Sequence, residues 1–181
     1  PMPIIWLFRW LAFRIYLGAG LIKIRGDECW TKLTCMDFHY ETQPIPNPIS
    51  RWLYFLPQWW HKLEVLWNHF VELIVPWFVW IPGLVTMIAG VLMISFQLLL
   101  IISGNLSFLN WVTIIPAIAC IEDRYWKKIM PKKLVKTSEK AVKHSSRNKY
   151  HELAAWIMVV VVLLLSVPVI QNLFSTRQAM N

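Results

Sequence analysis

Two cysteines, Cys29 and Cys35, stand six positions apart, just ahead of the consecutive run His39, Tyr40 and Glu41. Thiols so spaced can close a small structural disulfide, exchange disulfides with another protein, or stay free. The interval is not the C-x-x-C that tunes redox enzymes, which favours the structural bridge. The His–Tyr–Glu run suggests acid–base work or metal ligation. Neighbouring side chains of an extended segment point in opposite directions, however, so the run reads first as a hydrogen-bonded network that orders a loop. A zinc gathered by Cys29, Cys35 and His39 needs a fourth ligand such as Asp37 or Glu41; no metal and no cofactor is expected. A second constellation, Asn68, His69 and Glu72, places His69 and Glu72 on one helical face. An ionisable group in apolar surroundings is costly and usually has a partner, for which Arg9 and Arg14 are the candidates. An interhelical ion pair is the structural expectation, and a polar ligand pocket the functional one. One His-x-x-Glu does not supply the paired motif of a di-metal carboxylate site. There is no phosphate-cradling glycine loop, no G-x-S-x-G elbow and no nucleotide-binding fingerprint.

The elements that must hold these residues follow from composition. Of 181 residues 57% are hydrophobic and 15% charged, too much apolar surface for a soluble interior of this size. Lipid is the solvent that accommodates it, and the 12 tryptophans suit the bilayer interface. An all-α membrane protein of about five transmembrane helices with one ordered luminal loop is therefore predicted. A span needs roughly 20 apolar residues, and five stretches approach that: Ile4 to Ile22, Val65 to Ile81 (broken by Pro76), Leu84 to Ser103, Leu106 to Ile121, and Ala154 to Ile170. Cys120, inside the fourth, reads as a buried packing residue. Trp59, Trp60, Trp67, Trp77 and Trp80 read as interface anchors rather than a ligand cage.

The net charge of +8 does not point to nucleic acid, because it is concentrated in one loop. Residues 122–152 hold ten Lys or Arg against four acids, whereas residues 23–64 hold five of each. The basic loop is predicted to be cytosolic by the positive-inside rule, with a further capacity to attract anionic headgroups. Five spans then put residues 23–64 in the lumen; were the fourth stretch re-entrant, that loop would move to the cytosol. The predicted order is helix 1 (1–22), a luminal loop (23–64), helices 2 to 4 (65–121), the basic cytosolic loop (122–152), and helix 5 with a luminal end (153–181). The chain opens at Pro1 with no cationic flank or cleavage site, so it is expected to be a piece of a longer protein without a signal peptide. Asn105-Leu106-Ser107 matches a glycosylation sequon but sits in a very short turn against the membrane, and is expected to stay unmodified.

The 23–64 loop is dense in residues that fix a backbone. Gly26 permits a turn, Pro44, Pro46 and Pro48 impose a helix-incompatible stretch, and Asn47 before Pro48 favours a turn. The run from Gly18 to Ser50, GAGLIKIRGDECWTKLTCMDFHYETQPIPNPIS, resembles the signature of the lipase maturation factor family, and the likeness continues through NHFVELIVPWF at Asn68 to Phe78. It covers most of the chain, weakening in the basic loop and the last helix. The resemblance implies a multi-pass endoplasmic reticulum membrane protein that helps secreted dimeric lipases fold and assemble, with lipases and the bilayer as partners and no active site. It makes Gly26, Asp27, Cys29, Trp30, Cys35, His39, Tyr40, Glu41, Thr42, Pro44, Pro46, Asn47 and Pro48 the signature loop. Members of the family are longer and carry a large luminal region toward the C-terminus, beyond Asn181 of this chain. The rival expectation is an integral membrane enzyme, distantly similar to vitamin K-dependent carboxylases, in which His39, Glu41, His69, Glu72 and the two arginines converge in a luminal-leaflet pocket. Fold-level likeness does not license that chemistry. A transporter or scaffold subunit is a third option, unsupported by any internal repeat.

Overall fold

The computed structural model describes residues 2–43, 47–104, 108–144 and 149–174, with side chains through residue 172. Every regular element among them is helical, in keeping with an all-α membrane protein. Two compact units are formed, one of Phe8–Lys128 and one of Pro1–Leu7 with Ile129–Asn181.

The first helix, α1 (Met2–Gly26), is apolar for most of its length apart from Arg9 and Arg14, and closes on Lys23 and Arg25, cations that suit the negative end of the helix dipole. Asp27 stops it and caps the one-turn α2 (Glu28–Thr31), its carboxylate accepting from the Cys29 N–H at 2.8 Å. A second single turn, α3 (Met36–His39), follows. Asn47 caps α4 (Pro48–Tyr54) by accepting from the Ile49 N–H at 2.9 Å, and Pro48 occupies the first turn, where its missing N–H costs nothing. Next comes α5 (Gln58–His69). It runs directly into a π-turn (Phe70–Ile74) and a 3-10 segment (Val75–Trp80). Pro76 cannot donate to the preceding turn, so the hydrogen-bond ladder changes pitch around it instead of continuing.

Three described helices are long and apolar enough to cross a membrane: Met2–Gly26, Leu84–Ser103 and Lys149–Asn172. The second is α6 (Leu84–Ser103) and the third is nearly all of α10 (Lys149–Phe174). The predicted Val65 to Ile81 stretch is helical throughout most of its length but divided among three helix types. The predicted fourth stretch forms the ten-residue α7 (Leu109–Ile118). Its first residues, and the sequon at Asn105, Leu106 and Ser107, lie outside the described residues, as does Arg147 of the basic loop. That loop contains α8 (Asp123–Ile129) and α9 (Lys132–His144).

Within residues 8–128 the core joins α1, the 70–80 segment, α6 and α7 through Ala12, Tyr16, Val71, Val79, Met93 and Cys120, all fully buried. In lipid there is no hydrophobic drive between helices, so close approach and packing must hold them. Gly90 of α6 provides one such approach: a Cβ there would lie 2.8 Å from the Cβ of Cys120 and 3.1 Å from the Ala117 carbonyl oxygen. Polar side chains cross-link the same helices. The Tyr16 hydroxyl donates to the Met93 carbonyl at 2.8 Å, Asn110 Nδ2 to Gln97 Oε1 at 2.8 Å, and Arg9 Nε to the Ala119 carbonyl at 3.2 Å. Such bonds contribute only about 0.6 kcal/mol each in a bilayer, so they set register more than they stabilise.

Candidate functional site: a cavity beneath the 23–64 connector

The connector folds onto its neighbours. Cys29 and Cys35 approach to 4.7 Å between Cα atoms, with their sulfurs at bonding distance. The turn between them passes through Leu33 at φ +58°, a left-handed conformation that an L-residue adopts only at a cost. Closing this turn seats Trp30 beside α5, where its carbonyl is 3.0 Å from His69 Nε2 and its ring lies edge-on to the imidazole, centroids 6.1 Å apart.

Below it sits a buried charge. Glu72 Oε1 is 2.6 Å from Lys23 Nζ, which also donates to Asn68 Oδ1 at 3.1 Å and lies 4.9 Å from the Trp30 ring centroid. The expected arginine partners are therefore corrected to Lys23. The physical reason is depth. At 1.5 Å per residue, Arg14 lies nine residues farther into α1 than Lys23, while Glu72 packs level with the last turns of α1, where a Cβ on Gly20 would stand 3.0 Å from the Glu72 Cβ. Arg9 reaches toward Ala119 instead, and Arg14 is half-buried on α1.

The His–Tyr–Glu run separates. Tyr40 is buried and its hydroxyl donates to Glu64 Oε1 at 2.9 Å, a position shared with Trp60 Nε1 at 2.9 Å. Burial, then the Glu64 carboxylate, pushes the Tyr40 phenol well above its usual range and keeps it a neutral donor. His39 is held below the ordinary histidine value by burial and then by the Lys23 cation, so it is neutral at pH 7. Glu41 is exposed and accepts from Tyr54, raising that phenol by the hydrogen bond and by its charge. Thr42 is also exposed, its hydroxyl donating to the Phe38 carbonyl at 3.1 Å. Behind them His61, buried on α5, is 2.9 Å from Asp37 Oδ1 through Nδ1 and 3.1 Å from the Leu53 carbonyl through Nε2. Burial opposes its charging, but the Asp37 hydrogen bond, the Leu53 carbonyl and the nearby carboxylates outweigh that and raise it.

These contacts enclose a cavity of about 630 Å³, whose wall includes Lys23, His39, Tyr40, Glu64 and Asn68 among mainly apolar neighbours. Of the six residues whose convergence marks the enzyme expectation, His39 alone lines it. Glu41, His69, Glu72, Arg9 and Arg14 do not. Gly26 ends α1, Asp27, Asn47 and Pro48 start helices, and Pro44 and Pro46 lie outside the described residues. Among the described residues no three His, Cys, Asp or Glu side chains gather as metal ligands would. Sequence reasoning missed Lys23, His61 and Glu64, and offered Asp37 only as a zinc ligand, whereas it is the partner of His61. A signal existed: His61, Val65, Asn68 and Glu72, all buried, recur at the i, i+4, i+7, i+11 spacing of one helix face.

Fold and site together define a helical membrane protein in which an ordered connector borders a cavity at the ends of its spans. The chain belongs to the lipase maturation factor family, since the family's "Lipase maturation factor transmembrane domain" matches residues 1–128. Lipase maturation factor 1 of Mus musculus is 50% identical over 191 residues, covering 98% of this chain and 33% of that protein. The Homo sapiens protein of the same name is 48% identical over 197 residues, with the same coverage of 98% and 33%. Lipase maturation factor 2 of Xenopus laevis is 37% identical over 125 residues, 66% of this chain and 17% of that protein. The chain thus spans about a third of the length of the first of these relatives. No solved structure matches it.

Proposed function

We propose that this chain is the membrane region of an endoplasmic reticulum factor that assists folding and assembly of secreted dimeric lipases without itself catalysing a reaction. The observation that carries the proposal is similarity over 98% of the chain to proteins named lipase maturation factor 1. The 23–64 connector faces the lumen, the lysine-rich 122–152 segment faces the cytosol, and a Cys29–Cys35 disulfide persists in the oxidising lumen. In physical terms the factor holds apolar surface of half-assembled subunits until they pair, which limits aggregation of the transient species. Dispersal of Glu41, His69 and Glu72 away from the cavity that contains His39 supports a positioning role for the signature loop over a chemical one.

The test is client rescue. Cells secreting a dimeric lipase are depleted of the full-length protein and then given back wild type, the Cys29→Ser/Cys35→Ser pair, or Glu41→Ala. Wild type and Glu41→Ala are expected to restore secreted lipase activity, and the cysteine pair to restore less. Loss of rescue by Glu41→Ala at normal abundance would favour the enzyme reading. Digestion of the connector by protease added outside sealed reticulum vesicles would overturn the orientation.

A further inference from the structure

The cavity's composition is unusual for a protein interior. Its wall is mostly apolar, with Leu53, Leu63, Phe96, Leu99 and Leu100 among the contributors, yet it contains a carboxylate with no ion-pair partner among the described residues, Glu64. Lys23 is already neutralised by Glu72, so the wall carries a net negative charge at Glu64. Two of the lining side chains each hold a buried polar atom without a protein partner, Glu64 Oε2 and Trp67 Nε1. An orphaned buried acceptor or donor costs roughly 1–3 kcal/mol, so an occupant that supplies a donor near Glu64 and an acceptor near Trp67 recovers what the empty site forfeits. Tyr40 and Trp60 both donate to this carboxylate and Trp67 lines the same cavity, and an anion among aromatic side chains suits an ammonium group.

Position decides the source. Lys23 lies in the last turn of α1 and Ser103 ends α6, so the cavity is level with the ends of two spanning helices, where headgroups meet hydrocarbon. Leu63 and Leu99 of the wall are half exposed, at 50% and 52%, which leaves apolar side chains on the outer surface beside the opening. A volume of about 630 Å³ falls within the roughly 300–1,000 Å³ range of small-molecule sites and is too small for a folded client surface.

We propose that this cavity binds one zwitterionic phospholipid from the surrounding leaflet, its ammonium at Glu64, its phosphate toward Lys23 and Trp67, and an acyl chain between α5 and α6. An ammonium has three N–H donors and Lys23 uses two on Asn68 and Glu72, so one remains for a phosphate oxygen. The site does not depend on what the protein matures, and its failure leaves the lipase reading untouched.

The experiment reconstitutes the full-length protein in nanodiscs containing photoactivatable phosphatidylethanolamine with a diazirine-bearing chain. Cross-linked peptides are then mapped by mass spectrometry. Labelling is expected to concentrate on residues 60–67 and 96–103 well above the outward face of α10. It should fall about tenfold in Leu100→Trp, which fills the cavity, provided that variant still elutes as a monodisperse species. Glu64→Gln leaves the space open and is expected to lower the preference for phosphatidylethanolamine over phosphatidylglycerol about tenfold, the loss of one charge-assisted hydrogen bond. Labelling spread evenly over all lipid-facing helices, or an equal preference for the anionic lipid in wild type, would overturn the proposal. So would recovery of a peptide rather than a lipid from the cavity.

Discussion

Residues 8–128 and the region from Ile129 onward meet the same solvent with opposite strategies. The first region buries charge and amide groups, among them Arg9, His61, Asn68, Glu72 and Gln97, and ties its helices together through them. In the second, α9 buries nothing and the apolar α10 is exposed along nearly its whole length, with Trp156, Leu164 and Leu165 each more than half exposed. α9 divides cleanly: Leu134, Val135, Ala141 and Val142 share one face, and Lys132, Lys133, Lys136, Lys140 and Lys143 the other. Such a division suits a helix that lies in an interface, with its apolar face among acyl chains and its lysines among anionic headgroups. The difference teaches where stability resides. One region is held by its own side chains, the other by the bilayer. The family match to residues 1–128 ends where the first of these regions ends.

The comparison breaks most readily at Lys23. Lys23→Ala leaves Glu72 buried without its counter-ion and is expected to cost about 4 kcal/mol, measured by thermal unfolding in mild detergent. The Lys23→Met/Glu72→Leu pair should recover most of it, and failure to do so would mean that the pair does more than satisfy itself. Next in size is a contrast between the two regions. Met93→Ala, at a fully buried position of α6, should cost about 3 kcal/mol, and Leu164→Ala on α10 less than about 0.5 kcal/mol. Equal losses would show that α10 packs against protein in the native membrane. The Cys29→Ser/Cys35→Ser pair, removing closure of a short loop, should cost about 2 kcal/mol, read as faster proteolysis of the connector with α6 still protected.

The smallest effect is pH-dependent. His61 is raised in the folded protein, so its contribution is fully present below the ordinary histidine value near 6.5 and fades as pH rises through the raised one. His39, lowered by burial, acts in the other direction and only as pH falls below that value. Connector protection should therefore decline as pH rises above about 6.5, and Asp37→Asn should flatten that decline. A profile unchanged by Asp37→Asn would remove His61 from the account.

Much of this architecture was legible in residue types. Hydrophobic runs located α1, α6 and α10 because a span leaves a composition signal longer than any soluble helix requires. Asn47 announced a turn, but Pro48, expected to bar a helix, opens α4 in the first turn, where a missing N–H costs nothing. Of the three readings open for the cysteines, their approach fits the favoured structural bridge. What escaped was anything dependent on depth or on a change of pitch. Lys23 reads as the first loop residue from composition, yet α1 continues to Gly26 and makes it the partner of Glu72. The His39, Tyr40 and Glu41 run reads as one loop-ordering network, but the turn ending α3 separates it, sending Tyr40 to Glu64 and Glu41 to Tyr54. Even the arginine assignment failed for want of counting turns from the connector rather than matching charges.

The change of pitch between Phe70 and Trp80 has a mechanical corollary. At the end of the rod, where the last carbonyls of a helix have no partner within it, the Val79 carbonyl accepts from the hydroxyl of Thr86, 3.0 Å away and wholly enclosed. That single hydroxyl ties the end of the segment to the first turn of α6. Without it the Val79 carbonyl would stand enclosed and unpaired, so Thr86→Val is expected to loosen the join between that segment and α6 by about 1–3 kcal/mol.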